Sequence, residues 1–139
     1  MALMAPVVHY PLHQATLDNG LRVIVNPDPS VPLLAVNHWY DLGSRDERPG
    51  RTGLAHLFEH LMFEGSANVT SGEHLATVQS VGGSANATTW FDRTNYFETV
   101  PTGALDLALW LEADRLASLQ VTQHNLDNQR DVVMEEKRQ

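Results

Sequence analysis

The stretch "SANATTWFDRTNYFETVP", Ser84 to Pro101, decides how this chain folds. β-Branched and aromatic residues crowd both of its halves, and a polar break near Asp92–Arg93 separates them. That composition predicts two strands joined by a turn, the second stopped by Pro101. Downstream the period changes. Thr102 is expected to cap a long helix running to about Leu119, with Leu105, Ala108, Leu109 and Leu116 on its inner side. Upstream, "VGG" ends a helix near Val81, and "TSGE" opens it with Thr70 as N-cap and Glu73 as capping-box partner. Further back lies an apolar and aromatic strand, Leu33 to Leu42, preceded by "NPDPSVP", which breaks the chain with three prolines. Before it, Gln14–Leu17 and Leu21–Asn26 flank Asp18-Asn19-Gly20, a hairpin signal. Thr122 caps a last helix, which runs to the end of the sequence. Strands and helices in this order predict an α+β fold, with a mostly antiparallel sheet packed against helices.

The chain has 139 residues, 42% of them hydrophobic and 19% charged, with no repeat or low-complexity tract, so it suits one globular domain. The formal net charge of −8 argues against a nucleic-acid partner, whose binding surfaces are basic. There is no cysteine, so any metal must be held by His, Asp or Glu. No apolar run reaches the roughly 20 residues of a membrane span. "MALMAPVVHYPLHQ" lacks the regions of a signal peptide. These features fit the cytoplasm; a periplasmic or secreted location would require a leader already removed.

"GLAHLFEHLMFEGS", Gly53 to Ser66, predicts a helix from Leu54 to about Glu64. At about 100° per residue, His56, Glu59 and His60 share one face, and the other faces carry Leu, Ala, Phe and Met, so no side reads as solvated. Two imidazoles and a carboxylate turned inward need partners. Two histidines at i and i+4 can reach one zinc ion, and Glu59 is placed to take a proton from water there. A chance pattern with ordinarily hydrogen-bonded histidines is the alternative. A third ligand must come from elsewhere. On the last helix Leu126, Gln129, Val132 and Val133 form the apolar stripe, and Glu136 falls in its middle while Glu135 falls at its margin. A carboxylate centred on an apolar stripe makes Glu136 the third ligand, unless it is simply solvated at the chain end. Gln129, two turns earlier, could hydrogen-bond the site. Arg45 and Glu47 could pair within the loop "GSRDERPGRTG". His9, His13, His38, His74 and His124 match no motif and read as surface or ordinary core residues.

These residues resemble the pitrilysin–insulinase family of zinc peptidases, the inverzincins, which includes the mitochondrial processing peptidases. "DNGLRVIV", "WYDLGSRDERPGRTGLAHLFEHLMFEGS", "VGGSANATTWFDRTNYFETVP", "LALWLEADR" and "NQRDVVMEEKRQ" carry the resemblance nearly end to end. It implies one zinc ion per chain, with His56, His60 and Glu136 as ligands and Glu59 as the general base. Many members have a glutamate where Gln129 stands. It implies that a peptide substrate lies along Gly83–Thr89, with Asn86, Ala87 and Thr88 binding it. Members have two homologous halves around a chamber, so residues 1–139 would be a single partial domain, an incomplete N-terminal half of that fold. The missing C-terminal half or a homologous partner chain would complete it, and the uncovered sheet would invite self-association of copies. The implied function is zinc-dependent endoproteolysis of peptides or unfolded proteins, weak or absent in this chain alone. The alternative is a non-hydrolytic zinc- and peptide-binding scaffold or partner subunit.

Overall fold

Gly20, at φ +87°, lets the chain reverse between β1 (His13–Thr16) and β2 (Arg22–Val25), a turn that residues with a Cβ adopt at a cost. The amide of Leu17 donates to the Leu21 carbonyl at 2.9 Å to close it. The strands pair antiparallel, His13 opposite Val25 and Thr16 opposite Arg22. A computed structural model describes residues 10–138; His9 lies outside them. The chain divides after Pro32 into two compact units, of which this hairpin is the first.

The second unit is built on a three-stranded antiparallel sheet in the order β3-β5-β4, comprising β3 (Leu33–Tyr40), β4 (Ser84–Thr89) and β5 (Thr94–Pro101). Leu33 stands opposite Pro101 and Tyr40 opposite Thr94; Ser84 stands opposite Thr99 and Thr89 opposite Thr94. The alternation expected of a sheet covered on one face is present. Leu34, Val36, His38 and Tyr40 are half-buried, whereas Leu33, Ala35, Asn37 and Trp39 between them are exposed. On β5 the buried Tyr96, Glu98 and Val100 point one way and the exposed Phe97 the other.

Among the described residues four α-helices accompany the sheet: α1 (Leu54–Leu61), α2 (Glu73–Ser80), α3 (Leu105–Ser118) and α4 (Gln123–Glu136). Val69, Val78, Val100, Ala104, Ala108 and Leu111 form the core between sheet, α2 and α3. Gly83 makes the α2–β4 join possible, because a Cβ there would lie 2.8 Å from the Thr99 carbonyl oxygen. The expected α+β class and antiparallel sheet are therefore found.

Several details differ from the sequence reading. Helix α1 stops at Leu61 rather than Glu64, and it has a solvated side, with Leu54 and Phe58 exposed. Thr70 does not cap α2. Its amide and hydroxyl each donate to a Glu73 carboxylate oxygen at 2.7 Å, but the helix starts after Gly72. On α3 the inner side is Ala108, Leu111, Glu112 and Arg115, while Leu105, Leu109 and Leu116 are exposed. The apolar pattern misplaced that stripe because it avoided charged positions, and here two opposite charges are buried together. Thr122 does cap α4, accepting from the Asn125 amide at 3.1 Å. Among the described residues no helix is long and apolar enough to cross a membrane.

Candidate metal centre

Helix α1 is fixed at its start by a side chain outside it. The Glu47 carboxylate accepts from the Gly53 and Ala55 amides, both at 2.8 Å, satisfying N–H groups that a helix leaves open. Arg45 does not pair with Glu47; it lies 3.8 Å from Asp41 and from Asp46. Glu47 is thus spent on the helix that carries His56, Glu59 and His60.

Helix α4 packs on α1 and brings Glu136 to the two histidines. His56 Nε2 and His60 Nε2 are 3.2 Å apart, and Glu136 Oε2 lies 3.5 Å from the first and 3.7 Å from the second. Zinc bonds of about 2.0–2.2 Å at tetrahedral angles put neighbouring donors about 3.3–3.6 Å apart. The three separations lie within about 0.1 Å of the edges of such a site, and two imidazoles with one carboxylate are an ordinary zinc donor set. Glu136 is not buried on an apolar stripe, as its phase suggested: its side chain is 48% exposed, and no α4 residue is fully buried. Its neighbour Glu135 turns away to pair with Arg138 at 2.9 Å.

Around these donors the contacts are specific. His60 Nδ1 is 3.2 Å from Gln129 Oε1, so Gln129 does reach the site. The Thr89 hydroxyl donates to Glu59 Oε2 at 2.5 Å, tying Glu59 to the end of β4. Strand β4 is one edge of the described sheet and lies against α1. Of the residues expected to bind substrate, Asn86 is exposed, Ala87 is buried, and Thr88 is half-buried with its hydroxyl donating to Asn95 at 2.6 Å and accepting from Arg93.

The sequence reading missed a second cluster. His74, Glu98 and Glu112 are all buried, with donor atoms within 4.8 Å of one another, and His38 Nδ1 is 3.1 Å from Glu112 Oε2. Arg115 grips both oxygens of Glu112, through Nε at 3.0 Å and through Nη2. Its guanidinium also stacks 4.5 Å over the Tyr96 ring. Among the described residues neither Glu98 oxygen has a hydrogen-bond partner. Burial, then the neighbouring Glu112 charge, pushes the Glu98 carboxyl up to about 7. Burial, then Arg115, pushes His74 down to about 4. Two carboxylates against one guanidinium leave one negative charge, which a single proton on Glu98 removes and a divalent cation would overshoot. The only sequence signal was indirect: Glu98 falls on the inward phase of its strand, between Tyr96 and Val100.

Residues 22–139 match the family described as insulinase (peptidase family M16). A zinc protease, PqqE, of Helicobacter pylori is 38% identical over 94% of this chain and 30% of its own length. A probable mitochondrial-processing peptidase subunit beta of Arabidopsis thaliana is 33% identical over 87% of this chain and 23% of its own. The crystal structure of a protease from Helicobacter pylori superposes with a TM-score of 0.90 at 37% identity, covering 94% of this chain and 31% of that one. That of pitrilysin does so with a TM-score of 0.82 at 27% identity, covering 94% and 14%. The chain thus spans less than a third of these relatives. A family match across most of its length, together with a helix pair that brings two histidines and a glutamate to one point, places this chain in the insulinase family of peptidases, M16.

Proposed function

We propose that this chain carries the metal-binding and proton-transfer residues of a zinc-dependent endopeptidase acting on peptides or unfolded proteins. The observation that supports this best is the triangle of donor atoms from His56, His60 and Glu136 at tetrahedral spacing, beside Glu59. In this reading those three residues hold one zinc ion. When bound, the ion supplies Lewis acidity, which acidifies water and polarises a carbonyl. Glu59 takes the proton of the attacking water and then gives it to the leaving amine. Thr89 occupies Glu59 Oε2, which leaves Oε1 for the transfer. An extended peptide lies along β4 at Asn86, Ala87 and Thr88. With the Ala87 side chain buried and the Thr88 hydroxyl engaged, these two contribute main chain; the exposed Asn86 side chain, whose Oδ1 accepts from the Ala87 amide at 2.8 Å, offers its NH₂ and must release that amide for an added strand to use it. Further chain, as a C-terminal half or a homologous partner, completes the cleft, so these 139 residues alone cleave weakly or not at all.

The test is Glu59→Gln in the full-length protein. The variant is expected to keep about one zinc per chain by elemental analysis and to lose peptide hydrolysis by about 100-fold or more. Hydrolysis at the wild-type rate would remove Glu59 from the mechanism. A wild-type full-length protein that holds zinc but cleaves no peptide would favour the scaffold reading.

A further inference from the structure

Glu64 belongs to neither the helix α1 nor the donor set, yet it stands at the end of a hydrogen-bond chain that reaches the metal centre. Its Oε1 accepts from Gln129 Nε2 at 2.5 Å, and its Oε2 accepts from the Ser71 hydroxyl at 2.9 Å. Its backbone carbonyl accepts from Asn125 Nδ2 at 3.4 Å, a second tie to α4. Gln129 in turn sets its Oε1 3.2 Å from His60 Nδ1.

The chemistry of these groups gives the chain one direction. A carboxylate only accepts, so the Gln129 NH₂ must face Glu64. That orients the Gln129 oxygen toward His60. An amide oxygen also only accepts, so His60 must carry its proton on Nδ1. The lone pair is then on Nε2, the nitrogen that faces His56 and Glu136. Reversing the Gln129 amide would set its NH₂ against the imidazole and its oxygen against the carboxylate. We propose that Glu64 is a positioning residue of the metal centre: by fixing the orientation of the Gln129 amide it selects the His60 tautomer that can bind a metal, and it clasps α4, which carries Glu136, to the end of α1. This rests on the zinc reading above for its consequence, but not for the tautomer itself.

The experiment uses the whole chain with Glu64→Ala, Glu64→Gln, Gln129→Glu and the swap Glu64→Gln/Gln129→Glu. Zinc affinity is measured by competition with a chromophoric chelator, and the His60 tautomer by ¹⁵N NMR of histidine-labelled, metal-free protein. Circular dichroism checks that each variant folds, and Glu64→Gln serves if Glu64→Ala does not. Glu64→Ala and Glu64→Gln are expected to lower zinc affinity roughly tenfold and to mix the His60 tautomers. Gln129→Glu alone sets two carboxylates against each other and should weaken zinc binding as well. The swap restores a carboxylate–amide pair with one charge and should recover most of the loss, which a merely structural role for Glu64 would not predict. Wild-type affinity with an unchanged His60 spectrum in Glu64→Ala or Glu64→Gln overturns the proposal, as does a swap no better than Gln129→Glu. If the wild-type chain held no zinc, the metal centre would not form in this length of the protein, and the metal-free spectra would still decide the role of Glu64.

Discussion

Glu47 does from a loop what an N-cap side chain does at the head of a helix. Gly53, at φ +94°, offers no side chain to cap α1, and the Glu47 carboxylate takes the Gly53 and Ala55 amides instead. It also places negative charge at the positive end of the helix. Glu47→Ala is expected to cost about 1 kcal/mol in urea denaturation, and to weaken the proposed zinc binding because His56 and His60 ride on the frayed helix. Unchanged stability would show that water replaces the cap. Single residues of this kind divide by what local sequence can reveal. His56 and His60 were legible because four residues on one helix fix their relative position. Glu47 was not, since its partners lie six and eight residues away across an irregular loop. The ion pair that local sequence suggested for it, with Arg45, lost to two open helix amides.

At the scale of elements, the buried cluster joins β3, β5, α2 and α3 through His38, Glu98, His74, Glu112 and Arg115. Its pH behaviour follows from two opposite shifts. Glu98 is raised from 4.5 to about 7, so its contribution is present below pH 4.5 and lost as pH rises toward 7. His74 is lowered from 6.5 to about 4, so its contribution is present above pH 6.5 and lost as pH falls toward 4. Between about 4.5 and 6.5 both states bind one proton at these two sites, on Glu98 when folded and on His74 when unfolded, and the two slopes cancel. Denaturation across this range is expected to show it by subtraction. Glu98→Gln should lose stability as pH falls from 6.5, and His74→Gln should lose it as pH rises from 4.5. Flat profiles in both variants would mean that Glu98 does not hold the proton. The cluster also explains why the α3 stripe was misread. Glu112 and Arg115 neutralise one another inside, which a hydrophobic pattern cannot anticipate.

For the molecule as a whole, the proposed zinc would tie α1 to α4 through Glu136, which lies far along the chain from His60. An unfolded chain cannot hold the three donors together, so metal at 1,000 times its dissociation constant would add about 4 kcal/mol. Calorimetry at that zinc excess is expected to show the melting temperature of the 139-residue chain rising by on the order of 10 °C and falling again with chelator. His60→Ala should abolish the effect. No shift in the wild-type chain would mean that the triangle does not bind metal in this length of the protein. The same contrast of range separates what was readable from what was not. By itself, the sequence determined the antiparallel sheet, the four described helices and their order, and the placement of His56, Glu59 and His60 together on α1. Each of these depends on composition or on helical and strand periods over a few residues. Only the tertiary structure decided that Glu136 stays half exposed, that Glu64 holds Gln129 to His60, that Glu47 caps α1, and that Glu98 and Glu112 share a buried site with His74 and Arg115. These depend on groups from separate elements meeting at hydrogen-bond distance, and the energy of such a meeting is set by packing and desolvation rather than by any local pattern.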